Sequence, residues 1–456
     1  MEKKNVLVIM ADAMRADRLS YTGYRRDGKK LTPNIDQLAE KGVFYEKAYA
    51  TGPWTAASQP SFLTGEYCSN MDWPAKGSPL DEEYRTIGNY FSDEGYETRA
   101  YNLSLHIRSD LGFERGFDYY EDISLKDKFE PNFWHMEGMV WNLLFGQDNR
   151  TRYATKKIGK WLESREDSRH FFTFWNPTNP HNKYEAPRKF RKKFEREVGE
   201  EMDEEAVDRV ADWGHCLDYT AGNLELKDEE MDVVESRYDA EVAYLDYRVG
   251  QLIDKLKKEG VYEDTIIVFT SDHGENFGEY NRLLYHDTAL NESLTRVPLV
   301  IAGGPFREDN VEKPVSLIDL PNSLLKAATG ETVEEVESRP CLLPDEKKRE
   351  IVHMERDKAL GGYIEELEKL NPPKDIGWFS RGLQAAIKQD SKLVVDSNGE
   401  KKGFRINGFH QEKTDLNPDL VEELKESIRE KLGNFSGEEK EVEEEIKDKL
   451  DKMGYL

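Results

Sequence analysis

The sequence predicts a layered α/β protein: a large domain built on a buried sheet, then a smaller α+β unit. Three observations lead there. Short, continuous, apolar runs occur at 5–10 (NVLVIM), 171–175 (FFTFW), 265–271 (TIIVFTS) and 297–303 (VPLVIAG), and such runs suit strands covered on both faces. Segments of helical spacing lie between them, and alternating strands and helices imply layers. From about residue 331 the composition shifts, so 1–330 reads as the main domain and 331–456 as the small one.

Each element has its own signal. In TPNIDQLAEKG (32–42), Thr32 is placed to cap, Pro33 to begin and Gly42 to stop a helix. Over 239–260, Val242, Leu245, Val249, Leu252, Ile253 and Leu256 recur at helical spacing before Gly260. The charged stretch 190–236 reads as an inserted helical segment or lid. Residues 382–407 read as two antiparallel strands around a turn at Ser397–Gly399. At the end, Val442, Ile446, Leu450 and Met453 share one face of an amphipathic helix. The aromatics Phe133, Trp134, Trp141 and Trp213 read as core, oligomer contact or pocket wall.

The chain has 456 residues, 37% of them hydrophobic, and a formal net charge of −26. That balance disfavours nucleic acid and anionic membranes as partners. A homo-oligomer stays open. Cys68, Cys216 and Cys341 are far apart, without metal or disulfide spacing. The first apolar run meets Asp12 too early for a signal peptide, and no stretch suits a membrane span. A cytoplasmic protein is expected.

In open α/β sheets, ligands sit beyond the carboxyl ends of the strands. Strand 5–10 runs into Asp12, and strand 265–271 runs into Asp272, His273 and Glu275. Oxygen and nitrogen donors of this kind suit zinc, manganese or a related divalent cation. The ordinary reading is that an Asp after a strand caps the next helix.

Five stretches come in a fixed order: NVLVIMADAMRADRLSYTGY, LTPNIDQLAEKGVFYEKAYA, TGPWTAASQPSFLTG, FTSDHGENFGE and YHDTALNESLTRVPLVIAG. Together they resemble the sulfatase family of the alkaline phosphatase superfamily. The similarity continues through GFERGFDYYED, FFTFWNPTNPHNKYEAP and the final LDKMGYL. The resemblance implies a mixed, mostly parallel central sheet flanked by helices. It also implies one divalent ion (Mn, Zn, Ca or Mg) held by Asp12, Asp272, His273 and Thr55. Thr55, ten residues before Gly65, then takes the nucleophile's place. Strict sulfatases carry there a Cys or Ser that becomes formylglycine, an aldehyde that Thr55 cannot supply. The usual arginine four residues on is Gln59, the usual second acid after Asp12 is Ala13, and the usual Asp-Asn is Asp272-His273.

These departures move the expected substrate from sulfate to small phosphate mono- or diesters, attacked by a metal-activated Thr55. The alternatives are a sulfuric ester hydrolase, a transferase using the same site, and a non-catalytic binding protein of the same fold. His181 and His286 would point at the ester group, with His286 as the proton donor to the leaving oxygen or the activator of the second nucleophile. Asn102 and His106 line the pocket or hold their loop. Arg15 orients Asp12, contacts an anion, or forms a plain ion pair.

Overall fold

The computed structural model describes residues 2–71, 79–123, 148–166, 168–181, 183–196, 205, 207–208, 213–286, 288–330, 340–344, 346–357, 367–370 and 377–435. Eight strands form the central sheet. They are β1 (Asn5–Ala11), β2 (Val43–Tyr45), β3 (Glu97–Asn102), β4 (Tyr119–Asp122), β5 (Phe171–Asn176), β6 (Thr265–Ser271), β7 (Leu299–Ala302) and β8 (Asp309–Val311). Their spatial order is β8-β2-β7-β6-β1-β5-β3-β4. Strands β6, β1, β5, β3 and β4 are mutually parallel, whereas β7 runs against both its neighbours. The four apolar runs are the four central strands or, for 297–303, contain one. They read as continuous because both faces are covered.

The two faces sort by residue parity. Leu7 and Ile9 of β1 enter one core cluster, with α1 (Pro33–Lys41), α3 (Thr151–Ser164) and α4 (Asp228–Lys258). Val6 and Val8 enter the other, with α2 (Thr55–Thr64) and α5 (Leu320–Thr329). A period of two along a strand produces this division.

Helix starts are decided partly by distant residues. Thr32 precedes α1 and Pro33 opens it, but the Thr32 side chain makes no capping bond to the helix backbone. Asp246 of α4 accepts from the Asn34 and Ile35 backbone N–H groups at 3.0 and 2.9 Å instead. Helix α4 is longer than its apolar repeat predicts. It is one 31-residue helix beginning at Asp228, with three acidic residues in its first turn, which suit the positive helix end. The 190–236 segment therefore includes a core-supporting stretch of α4. It also holds most of a short helix, Arg188–Phe194, and all of Trp213–Ala221.

A second sheet follows: β9 (Val352–Arg356), β10 (Leu383–Lys388), β11 (Ser391–Asp396), β12 (Lys401–Asn407) and β13 (His410–Lys413). Neighbours pair antiparallel in chain order. Residues 382–407 thus hold three strands where the turn signal at Ser397–Gly399 predicts two. The extra reversal falls at Gln389–Asp390, with Gln389 at φ 56°. Helix α6 (Pro418–Leu432), which the sequence reading leaves out, lays Leu424, Ile428 and Leu432 on Ala386 and Leu393.

This sheet is tied to the large domain by a buried ion pair. Lys392 Nζ of β11 lies 3.1 Å from Glu292 Oε1, and both side chains are fully buried. Glu292 also accepts from the Tyr49 hydroxyl at 2.9 Å. Phe133, Trp134, Trp141 and the terminal face of Val442, Ile446, Leu450 and Met453 lie outside the described residues, as does the side chain of Trp213. Among the described residues, no helix is long and apolar enough to cross a membrane.

Burial raises several carboxyls far above their usual range. Glu241 is pushed up to about 8, and Asp246 and Glu355 to about 7, with desolvation the largest cause in each. Unfolded carboxyls titrate near about 4. The folded values are the higher ones, so the stability these groups contribute is complete below about pH 4 and is lost as pH rises through 7–8. The melting temperature of chelator-treated protein should fall from pH 6 to pH 8.5, and Glu241→Gln should flatten the slope. A melting temperature that climbs over that range contradicts the assignment.

Candidate active site

The site begins with strand register. Strands β1 and β6 pair through to Ala11 beside Ser271, so the next residues of each, Asp12 and Asp272, emerge side by side. Backbone geometry then turns the chain. Ala13 has φ 63°, an uncommon left-handed conformation for a residue with a Cβ, and its N–H donates to Asp272 Oδ1 at 3.2 Å. The turn is held from behind by Tyr238 of α4. Its hydroxyl donates to the Ala13 carbonyl and accepts the Arg15 N–H, both at 2.8 Å.

Asp272 accepts from three donors. Oδ1 also accepts the His273 N–H at 2.8 Å, and Oδ2 accepts Gln59 Nε2 at 2.8 Å. His273 Nδ1 lies 2.8 Å from the Gly274 carbonyl. A carbonyl only accepts, so Nδ1 carries a proton and Nε2 is the atom turned to the site. Nε2 lies 3.5 Å from Asp12 Oδ1, 3.7 Å from Asp272 Oδ1 and 3.2 Å from the Thr55 hydroxyl oxygen. Thr55 Oγ1 is 3.5 Å from Asp12 Oδ1.

Helix α2 supplies Thr55. Thr55 is its first residue, Trp54 precedes it in extended conformation, and Gly65 ends it at φ 72°. Ser61 and Thr64 turn their hydroxyls to the carbonyls of Ala57 and Pro60 within the helix. Of the five hydroxyls in 51–65, Thr55 is thus the one joined to the acidic cluster.

Asp12, Asp272 and His273 are all buried, and one ligand atom of each lies within 4.8 Å of the others. Their electrostatics ask for a cation. Burial and then Asp12 push Asp272 up to about 7 despite the countering His273. Burial opposes the His273 imidazolium, but Asp272 and Asp12 outweigh it and raise the ring to about 9. Asp12 feels the same burial, yet His181 and His273 hold it below its ordinary value. Two acids and an imidazole sharing protons in a closed space is what a divalent ion would displace. Two carboxylate oxygens, a ring nitrogen and a hydroxyl fit such an ion.

Two further imidazoles complete the wall. The His286 ring centroid lies 4.5 Å from that of His273 and 4.9 Å from that of His181. His286 Nδ1 is 3.2 Å from Glu275 Oε1, and Tyr184 donates to Oε2 of the same carboxyl at 3.3 Å. Burial, with His273 and His181, pulls His286 well below the usual histidine value. His106 is buried with its ring edge-on to Trp54 at 5.5 Å, and burial brings it down to about 4. The other two pocket candidates are engaged elsewhere. Asn102 donates to the Ser104 carbonyl and to Asp122, and accepts the Ser104 N–H, which organises its own loop. Arg15 pairs with Asp17 and Glu279 and donates to the Glu275 carbonyl at 3.1 Å.

Two supporting residues escape the motif reading. Gln59 stands out there only as a departure from arginine, whereas its amide is bonded to Asp272. Glu241 of α4 accepts from Asn179, in the loop that carries His181. In the sequence Glu241 only adjoins Val242, where the apolar repeat begins, among other acids at Asp239 and Asp246.

A family model described as Sulfatase matches residues 4–330. The chain belongs to the sulfatase family. Choline-sulfatase of Rhizobium meliloti is 27% identical to it over 73% of this chain and 69% of the relative. A multifunctional alkaline phosphatase superfamily protein of Trinickia caryophylli, PehA, is 24% identical over 75% and 77%. The phosphonate monoester hydrolase of Agrobacterium radiobacter shares the fold with a TM-score of 0.64 at 18% identity, over 88% and 89% of the two chains. This sulfatase-family chain is therefore an ester hydrolase, and its enzymes generally use a divalent ion.

Two outcomes follow from the site. Saturating Mn²⁺ or Zn²⁺ should raise the melting temperature, by about 2.7 kcal/mol of stability at a hundred times the dissociation constant, and a chelator should reverse it. An ion-independent melt contradicts the cluster's assignment. A Cβ on Gly274 would sit 2.0 Å from the Ser293 carbonyl oxygen, against which the Glu275 N–H is bonded. Gly274→Ala should cost about 1–3 kcal/mol and weaken ion binding by displacing His273, read by melting and titration calorimetry.

Proposed function

We propose that this sulfatase-family enzyme cleaves small phosphate mono- or diesters by direct attack of the Thr55 hydroxyl. One observation carries the reading. The side chain 3.2 Å from His273 Nε2 and 3.5 Å from Asp12 is a threonine. Its Cβ bears a methyl group, so oxidation there would give a ketone and never the formylglycine aldehyde. The hydroxyl itself must act.

Asp12, Asp272, His273 and Thr55 would hold the divalent ion, which supplies positive charge to lower the hydroxyl pKa and to neutralise the ester's non-bridging oxygens. The remaining work belongs to the chain. Thr55 loses its proton towards Asp12 and forms an O–P bond in line with the leaving oxygen. The P–O bond to the alcohol breaks, and that oxygen takes the Nε2 proton of neutral His286, whose Nδ1 is resupplied by Glu275, a carboxyl that burial raises to about 8. Glu275 fixes the tilt of this imidazole. Water then attacks phosphorus and gives its proton to His286 Nε2, Nδ1 returns its proton to Glu275, and the Thr55 oxygen leaves with the proton held by Asp12. The amino end of α2 adds a favourable dipole for the anion.

The names of two similar proteins, a multifunctional member of the superfamily and a phosphonate monoester hydrolase, agree with phosphorus chemistry. Sulfuric ester cleavage by the same hydroxyl is the second reading, supported by similarity to a choline-sulfatase.

A panel of phosphomonoesters, phosphodiesters and aryl sulfates, run with several divalent ions, should show highest kcat/KM on a phosphate ester. Thr55→Ala should lose at least about 10³-fold in kcat. Quenched wild-type protein should carry a phosphoryl group on Thr55. Preference for aryl sulfate moves the assignment to sulfur, and full activity in Thr55→Ala removes Thr55 as the nucleophile.

A further inference from the structure

We propose that Gln59 is a positioning residue: it locks Asp272 for ion binding, where the family's usual residue is arginine. This rests on the ion site assigned above.

Thr55 and Gln59 are four residues apart, so they share one face of α2, one turn apart. The same helix thereby presents the hydroxyl to Asp12 and His273 and the carboxamide to Asp272. Gln59 is fully buried, and its Nε2 donates to Asp272 Oδ2 at 2.8 Å. The Ala13 and His273 N–H groups hold the other oxygen, Oδ1. Those two donors are backbone groups of the loops themselves and move with them. Gln59 is the donor that comes from a packed helix, so it sets the carboxylate plane against Thr55. Groups that orient a metal-binding side chain typically change affinity by about 10–100-fold when removed.

The choice of an amide has a further effect. Arginine would bring a permanent positive charge beside Asp272, in competition with the ion. Glutamine donates the same kind of hydrogen bond without that charge. The cost is visible: Gln59 Oε1 is a buried acceptor with no hydrogen-bond partner among the described residues. Burial of an unpaired amide oxygen is unfavourable, so the amide is kept for what its other end does.

The test is Mn²⁺ binding, followed by calorimetry and by the Mn²⁺ electron paramagnetic resonance signal, in wild type, Gln59→Met and Gln59→Ala. Met preserves the buried volume and removes the donor. Chelator-treated Gln59→Met should melt close to wild type yet bind Mn²⁺ about 10–100-fold more weakly. Its kcat on the preferred ester should recover as Mn²⁺ is raised, which a general folding defect would not allow. Unchanged Mn²⁺ affinity in a folded Gln59→Met overturns the proposal and leaves the site standing. Absence of Mn²⁺ and Zn²⁺ binding in the wild type overturns both together. If Gln59→Met does not fold, Gln59→Ala and Gln59→Asn are read by the same affinity criterion.

Discussion

Two carboxylates, Asp12 and Asp272, meet in a buried place. At interior dielectric values, like charges at this spacing repel by several kcal/mol, and each is also stripped of hydration. Nothing obliges a protein to tolerate this except the strand register that puts both at the ends of neighbouring parallel strands. Much of the surrounding structure serves to make that arrangement bearable. The left-handed turn at Ala13 points an N–H at Asp272, His273 turns its Nε2 inward, and α2 delivers an amide and a hydroxyl. The cation proposed above would complete the balance.

Helix α4 is the backing for these loops. Along its length, Tyr238 braces Ala13 and Arg15, Glu241 braces the His181 loop, and Asp246 braces the start of α1. Asp239 pairs with Arg26 at 2.7 Å. One long rod can thus hold several separate loops in a single relative position. Preorganisation of that kind matters where fixed dipoles and charges, not flexible groups, stabilise a developing anion.

The fold was legible because continuous apolar strands have few other uses, and NVLVIM, FFTFW and TIIVFTS lie at the centre of the sheet as read. The site was legible as a set of residue types at strand ends, strengthened by five motifs in order. What escaped depended on partners far away in the chain. Thr32 looked like a cap, but Asp246 does the capping. Gln59 and Glu241 gain their meaning only from Asp272 and Asn179. Asn102 and Arg15 sit beside the right motifs, yet their polar atoms are bonded to Ser104, Asp122, Asp17 and Glu279. Sequence spacing reports proximity along the chain, while hydrogen bonds are settled in space. Short strands such as β9 and β13 carry too few residues for a periodic pattern to be seen.

The Lys392–Glu292 pair has a consequence for how the molecule could evolve. Neither charge has water to fall back on, and Glu292 opens the short helix that contains Ser293 and Leu294, whose carbonyls receive the N–H groups of Glu275 and Gly274. Severing the smaller sheet would take from Glu292 its fully buried cation, leaving the Tyr49 hydroxyl and Arg296 at 4.0 Å, within one helical turn of the carbonyls that hold the loop after His273. The two parts are thereby coupled, and a lineage that discards or swaps the second leaves position 292 short of a charge partner.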